Sequence, residues 1–354
     1  METTAVEIKA RSEATQRTPP RAARALWWLP LAPAAAFYAV FIERTAFDVR
    51  GRTFFTLFDD AMISMRYARN LVDGHGLVWN PGQYVEGYSN FLWTLWMAVV
   101  HELPVPERAT SLGVMVSEAV LLLLGVVVVG RIARLVAPRS PLVAPIAMLL
   151  TGLYYPLAFW ALRGMEVGLA SLLVSLAALL TLELCERWSA RKCWALAGVL
   201  AAAVLTRDDL VVPAAIVLGF LVWQVRADRR NRTLAIVGGS VALAVGGHEL
   251  FRVVYYGDAL PNTYYLKLSG ISLGTRLHRG VESLASALAY DLYAPVILAA
   301  AGLVLRWRSG ARRAYGLLAV LFVAQCAYSV YVGGDAWEQV KFANRYVASG
   351  SRAA

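Results

Sequence analysis

The sequence predicts an all-α protein, a polytopic transmembrane bundle of about nine spans with interfacial helices in its first outer loop. Three observations predict it. The 354 residues are 58% hydrophobic and only 16% charged, with a mean hydropathy of +0.54, whereas soluble domains carry roughly 25% charged residues. Apolar runs reach the roughly 20 residues that a span needs. The arginines fall in short clusters between those runs, as cytoplasmic loops do. That clustering also argues against a nucleic-acid partner for a chain of net charge +10, because a basic binding surface gathers its charge on one face. Cys185, Cys193 and Cys326 lie in or beside apolar runs without CxxC spacing, and read as small buried hydrophobes.

In chain order, residues 1–25 form a basic cytoplasmic tail carrying Lys9, Arg11, Arg17, Arg21 and Arg24. The first span, 26–43, runs straight into Glu43-Arg44 without a small-x-small cleavage site, so it reads as a retained span. It exits into a first periplasmic loop, 44–109. Spans follow at 110–130, 141–160, 166–184, 193–206, 210–225, 233–250, 284–305 and 314–332. Threaded this way, "RIARLVAPR", "ERWSARK", "RADRRNR" and "RWRSGARR" all fall on the cytoplasmic side, as the distribution of lysine and arginine requires. The transmembrane domain is 26–332, and 333–354 is a periplasmic C-terminal segment. Within the first loop, residues 88–101 read as a helix in the outer interface, where tyrosine and tryptophan belong.

Every loop that mixes acids, amides and aromatics then faces outward. "DDAMISMRYARNLVDG" is an amphipathic helix with Ala61, Met65, Ala68 and Val72 on one face and Asp59, Arg66, Asn70 and Asp73 opposite. One carboxylate of Asp59-Asp60 serves as a helix cap. The second exceeds that need, so the pair can supply a general base or hold a divalent metal. No cofactor beyond that metal is implied. Glu86 precedes an aromatic run in which Tyr88 and Trp93 form either a platform for a sugar or lipid, or ordinary interface residues. In "LRGMEVG", Arg163 and Glu166 read as an ion pair at a span end, with a ligand contact as the alternative. In "LTRDDLVV", Arg207 can bind a phosphate and Asp208 can hold it in place. "YYGDALPNTYYLK" combines a Pro261-Asn262 turn with Lys267, a cation suited to a lipid-linked phosphate beside Tyr264 and Tyr265. Asp335 follows Gly333-Gly334, at the start of a helix that is either a solvated face or part of the site. No Gly-rich phosphate loop, HExxH or nucleophile elbow appears. Outward carboxylates with a few bases suit glycosyl transfer from a polyprenyl-phosphate sugar to a glycan or lipid acceptor.

The stretch "FDDAMISMRYARNLVDGHGLVWNPGQYVEGYSNFLW" resembles the first outer loop of membrane glycosyltransferases of the GT-C type. Among these it is most similar to bacterial cell-wall arabinofuranosyltransferases that add terminal arabinose from decaprenyl-phosphate arabinose. That family carries an acidic pair before "RxxRNLxxGxGxVxNxGxxVE". Here these are Asp59-Asp60, Arg66, Arg69-Asn70-Leu71, Gly74, Gly76, Val78, Asn80, Gly82 and Val85-Glu86. "YYGDALPNTYYLK" and Gly333-Gly334-Asp335 resemble later motifs of the same proteins. The resemblance implies a GT-C-like bundle in the bacterial inner membrane, with its active face periplasmic. It implies Asp59 as the base, Asp60 and Glu86 lining the cleft, and Lys267 on the donor phosphate. "EGYSN" stands where the arabinose enzymes carry an "EANTS"-like stretch, which leaves the sugar open. Family members continue with further spans and a periplasmic domain, so the chain reads as a C-terminally shortened form or a fragment. The rival class is a transporter or flippase of a lipid-linked or small anionic substrate. It would place ionisable groups near the bilayer midplane, where only "TRDD" fits.

Overall fold

Helices dominate because the backbone of apolar runs satisfies its own hydrogen bonds. The computed structural model describes residues 27–268, 270–293, 296–297, 312–334 and 346. Helix α1, Leu31–Glu43, follows Pro30 and leads into a two-stranded antiparallel hairpin, β1 (Ala46–Val49) and β2 (Arg52–Phe55). The all-α reading did not anticipate this hairpin. Its turn is Arg50-Gly51, both with positive φ (53° and 74°), the backbone that two-residue hairpin turns demand. Phe47 pairs with Phe54 across the strands, their rings stacked at 5.9 Å.

Helices α2 (Asp59–Val72) and α3 (Phe91–His101) complete the first loop. Ala61, Met65 and Ala68 on α2 are buried as the pattern predicts. Asn70, expected on the polar face, is buried as well. Its amide donates to the carbonyls of Val78 (2.7 Å) and Trp79 (2.9 Å), and so ties down the loop that follows. Trp93 is only 1% exposed, and its indole N–H donates to the Gly164 carbonyl at 2.9 Å. That makes it a structural anchor of α3 and removes it as a platform.

Six helices come next. They are α4 (Thr110–Val136), α5 (Val143–Gly152), α6 (Tyr155–Leu162), α7 (Val167–Glu186), α8 (Ala190–Thr206) and α9 (Val211–Gln224). The expected span 141–160 is divided into α5 and α6, bent by 48°. Gly152 closes α5 and Pro156 sits in the first turn of α6, the residues that interrupt helices. Helices α8 and α9 are shorter than a span because the charged Arg207-Asp208-Asp209 turn divides their apolar sequence.

Helix α10 (Ala227–Thr233) continues through a π-turn, Leu234–Gly238, into α11 (Gly239–Tyr256). The span expected at 233–250 is therefore longer, and it carries His248, Glu249 and Arg252 in its last turns. It stops at Gly257, φ 78°, a left-handed helix terminator. Helices α12 (Asn262–Leu268), α13 (Leu273–Ala287) and α14 (Arg312–Val332) follow. Among the described residues, four helices are long and apolar enough to cross a membrane, or five if the bent pair is one span. The span expected at 284–305 falls partly outside the described residues, as do the tail 1–25 and most of 333–354.

Two large apolar cores, with smaller clusters beside them, hold the described bundle. One joins α1, α2, α3, α4 and α6 through residues such as Tyr38, Met97, Met115 and Trp160. The other joins α4, α7, α8, α9 and α14 through Ile132, Leu179, Leu196, Leu221 and Leu317. The start of α2 is fixed to the turn after α6: the Phe58 N–H donates to the Arg163 carbonyl at 2.8 Å, and the Phe58 ring meets Trp160 edge-on at 5.0 Å. This contact brings the Asp59-Asp60 pair beside the "LRGMEVG" and "TRDD" turns.

Candidate active site

The acidic pair divides its labour. Phe58 is extended, and Asp59 and Asp60 occupy the first turn of α2, where free N–H groups and the helix dipole favour acids. Asp59 is exposed, and its carboxylate accepts from the Asp60 N–H at 2.9 Å. Asp60 instead lines a cavity of ≈ 800 Å³. Around it stand Tyr88, Arg207, Asp208, Arg252 and Arg276, brought from the first loop, the α8–α9 turn, α11 and α13.

Arg252 is the centre of the polar wall. It is 1% exposed. It donates to Glu86 (2.6 and 3.4 Å), to Asp208 (3.0 Å) and to Glu249 (2.7 Å). Glu86 is equally buried and lies behind the wall, outside the residues that line the cavity. Burial pushes its carboxyl up to about 7, against the pull of the Arg252 guanidinium. His248 adds its Nδ1 at 3.8 Å from Asp208.

A second network lies alongside. Arg207 grips Asp209 with two hydrogen bonds (2.8 and 2.9 Å) and reaches Glu166 at 3.6 Å. Glu166 accepts from Asn90 (2.9 Å), whose carbonyl accepts from Ser64 (2.8 Å) and Thr94 (3.1 Å). The chain thus runs from α2 through α3 to the α8–α9 turn. Two sequence expectations are corrected. Arg163 does not pair with Glu166; Arg207 and Asn90 do. Asp208 does not hold Arg207; Asp209 does, and Asp208 turns to Arg252. In the first case the partner comes from another helix end; in the second the local turn points Asp209, not Asp208, toward Arg207.

Tyr88 is buried at the cavity wall beside Tyr256, with their hydroxyls 3.0 Å apart. Tyr256 donates its one proton to the Leu77 carbonyl at 2.8 Å, so Tyr88 is the donor of the pair. Burial raises the Tyr88 hydroxyl well above the usual phenol range and keeps it neutral.

The remaining expected residues sit elsewhere. Arg66 is exposed and donates to the Trp79 carbonyl at 3.3 Å, away from the cavity. Asn262 is exposed; its backbone N–H donates to the Glu86 carbonyl at 2.9 Å, while its neighbours Pro261, Thr263 and Tyr264 line the cavity. Asp335 lies outside the described residues, and so does the side chain of Lys267. Among the described residues no group of three or more His, Cys, Asp or Glu is placed to hold a metal ion. Sequence reasoning missed Arg252, Glu249, His248 and Arg276. The signal for the first three was present, since a cluster of ionisable residues closing an apolar helix is a site candidate.

A helical bundle whose first loop folds back beside a polar cavity is a fold shared with solved oligosaccharyltransferases. The archaeal oligosaccharyltransferase AglB of Archaeoglobus fulgidus, in complex with an inhibitory peptide and a dolichol-phosphate, superposes with a TM-score of 0.58 at 14% identity, covering 92% of this chain and 49% of that one. The apo oligosaccharyltransferase of the same organism gives 0.56 at 12% identity, covering 92% and 50%. In sequence the chain is similar to two terminal beta-(1->2)-arabinofuranosyltransferases. The Mycobacterium tuberculosis protein is 28% identical over 228 residues, which is 59% of this chain and 34% of that protein. The Corynebacterium glutamicum protein is 24% identical over 320 residues, 78% and 44% respectively. The chain thus spans less than half the length of these curated relatives. No protein-family model matches it.

Proposed function

We propose that the chain is an integral membrane glycosyltransferase. It transfers a sugar, arabinofuranose by the likeness to its relatives, from a polyprenyl-phosphate donor to a cell-envelope glycan or lipid acceptor on the periplasmic face. Asp60 is the general base. Its carboxylate takes the proton of an acceptor hydroxyl, the oxygen attacks the anomeric carbon, and the bond to the phosphate oxygen breaks. The polyprenyl phosphate leaves with the electron pair. Arg252 and Arg207, already neutralised by acids, hold the wall rigid and position Asp208 and Asn90, so the groups that meet substrate need little reorganisation. Asp59 accepts a first-turn N–H and supports the start of α2.

The observation that carries this reading is Asp60 in the same ≈ 800 Å³ cavity as arginines and apolar helix surface. A lipid-borne sugar presents the matching combination of hydroxyls, phosphate and hydrocarbon. The dolichol-phosphate bound by the archaeal structural neighbour supports a lipid phosphate as ligand. The test is transfer from a panel of radiolabelled polyprenyl-phosphate sugars in membranes expressing the chain. Transfer from the arabinose donor is expected. Transfer from a different sugar alone would overturn the arabinose assignment, and no transfer from any donor would count against the enzyme reading.

A further inference from the structure

The charges lining the cavity are unequally engaged. Arg207 and Arg252 are each spent on two or more carboxylates. Arg276 is not. Its Nε and Nη1 are shielded from solvent and have no hydrogen-bond partner among the described residues. Its guanidinium carbon lies 5.1 Å from the ring centre of Tyr331, a contact over the ring face that does not use the in-plane donors. Shielded guanidinium N–H groups without acceptors are costly, so the site is complementary to an anion that arrives with its own oxygens.

The surroundings fix where that anion sits. Ser272 caps α13 by accepting from the Thr275 N–H at 3.1 Å. This holds the first turn that carries Arg276, and Arg279 follows on the same face and also lines the cavity. Gly280 packs against the backbone of Val330 on α14 with no room for a Cβ, so α13 is held close and Arg276 cannot swing away as a unit with its helix. Part of the same cavity's wall is apolar, with Val204, Leu205, Val211, Ala244 and Val245. A planar guanidinium matches phosphate oxygens two at a time, and the apolar wall suits a chain attached to that phosphate.

We propose that Arg276, assisted by Arg279, is the phosphate-binding residue of the cavity and holds the phosphate of a polyprenyl-phosphate ligand. This rests on the donor class argued above and adds its anchor, which is distinct from Arg207 and from Lys267.

The test is equilibrium binding of tritiated farnesyl phosphate, and separately of inorganic phosphate, to the full chain purified in detergent. Farnesyl phosphate is expected to bind the native protein, and Arg276→Ala to weaken it by roughly tenfold to a hundredfold, the loss of one charge-assisted contact. Arg276→Lys should retain part of the affinity, and Arg279→Ala should lose less than Arg276→Ala. If Arg276→Ala does not fold, Arg276→Gln beside Arg276→Lys makes the same comparison. Native-like affinity, within twofold, in the neutral variant overturns the assignment and leaves the glycosyltransferase reading standing. Binding of inorganic phosphate alone, lost in the neutral variant, supports Arg276 as a phosphate site while counting against a lipid donor. Binding of neither ligand by the native protein overturns both.

Discussion

Replacing Arg252 by methionine removes the one cation that Glu86, Asp208 and Glu249 share. The cost follows from burial. The side chains of Arg252 and Glu86 are each 2% exposed, so Glu86 is left as a buried carboxylate without a counter-charge, which costs about 3–5 kcal/mol. The side chains of Asp208 and Glu249 are each 43% exposed, so water screens them and each adds at most about 1 kcal/mol. The total depends on pH. At pH 8.5 Glu86 must stay ionised or draw a proton from dilute solution, and the full loss is expected. At pH 6 it takes a proton readily, and a smaller loss remains. The assay is unfolding in mixed micelles with increasing denaturing detergent, followed by helical ellipticity at both pH values. Arg252→Met with Glu86→Gln should recover at least about 1.5 kcal/mol of the single-variant loss, since the two groups touch. A single variant within about 1 kcal/mol of the native protein at pH 8.5, or a double variant no better than the single, would refute the claim that this buried pair organises the wall.

Two further outcomes are expected on stability. Burial lifts the Glu86 carboxyl from 4.5 to about 7, so between those values the folded protein holds a proton that the unfolded chain has released. Its contribution to stability is present below pH 4.5 and is lost as pH rises through 7. The stability of the native protein relative to Glu86→Gln should therefore fall across that window; a difference that grows with pH would mean that Arg252 outweighs burial. Gly76→Ala should cost about 1–3 kcal/mol. Gly76 has φ 84°, and a Cβ there would strike the Tyr255 hydroxyl, which accepts from the Leu77 N–H at 2.9 Å. Unchanged thermal unfolding of that variant would contradict the close approach of the first loop to α11.

Much of this was readable from the residues. Apolar length and arginine placement marked most of the helices, and the 3.6-residue repeat identified the buried stripe of α2. The hairpin was not readable, because two short strands joined by Arg50-Gly51 give too little alternation to separate from loop. The break between α5 and α6 was signalled by Gly152 and Pro156, but hydropathy averages over such residues. Of the residues that line the cavity, Asp60, Tyr88, Arg207 and Asp208 stand out in the sequence by their company in loops read as outward. It could not separate Asp59 from Asp60, since adjacent positions on a helix differ by about 100° in direction and only packing decides which one meets the cavity. Arg252 was hidden by a boundary drawn at 250. The pairing of Glu86 with Arg252, 166 residues apart, depends on tertiary placement that no spacing rule contains.

The most direct test of the central claim is sugar transfer by two variants side by side, Asp60→Asn and Asp59→Asn, in membranes with matched expression and fold. The account predicts that Asp60→Asn lowers turnover by at least about a hundredfold, the scale of a general base, while Asp59→Asn keeps most of it and loses chiefly stability. Normal transfer by Asp60→Asn, or loss confined to Asp59→Asn, would contradict it.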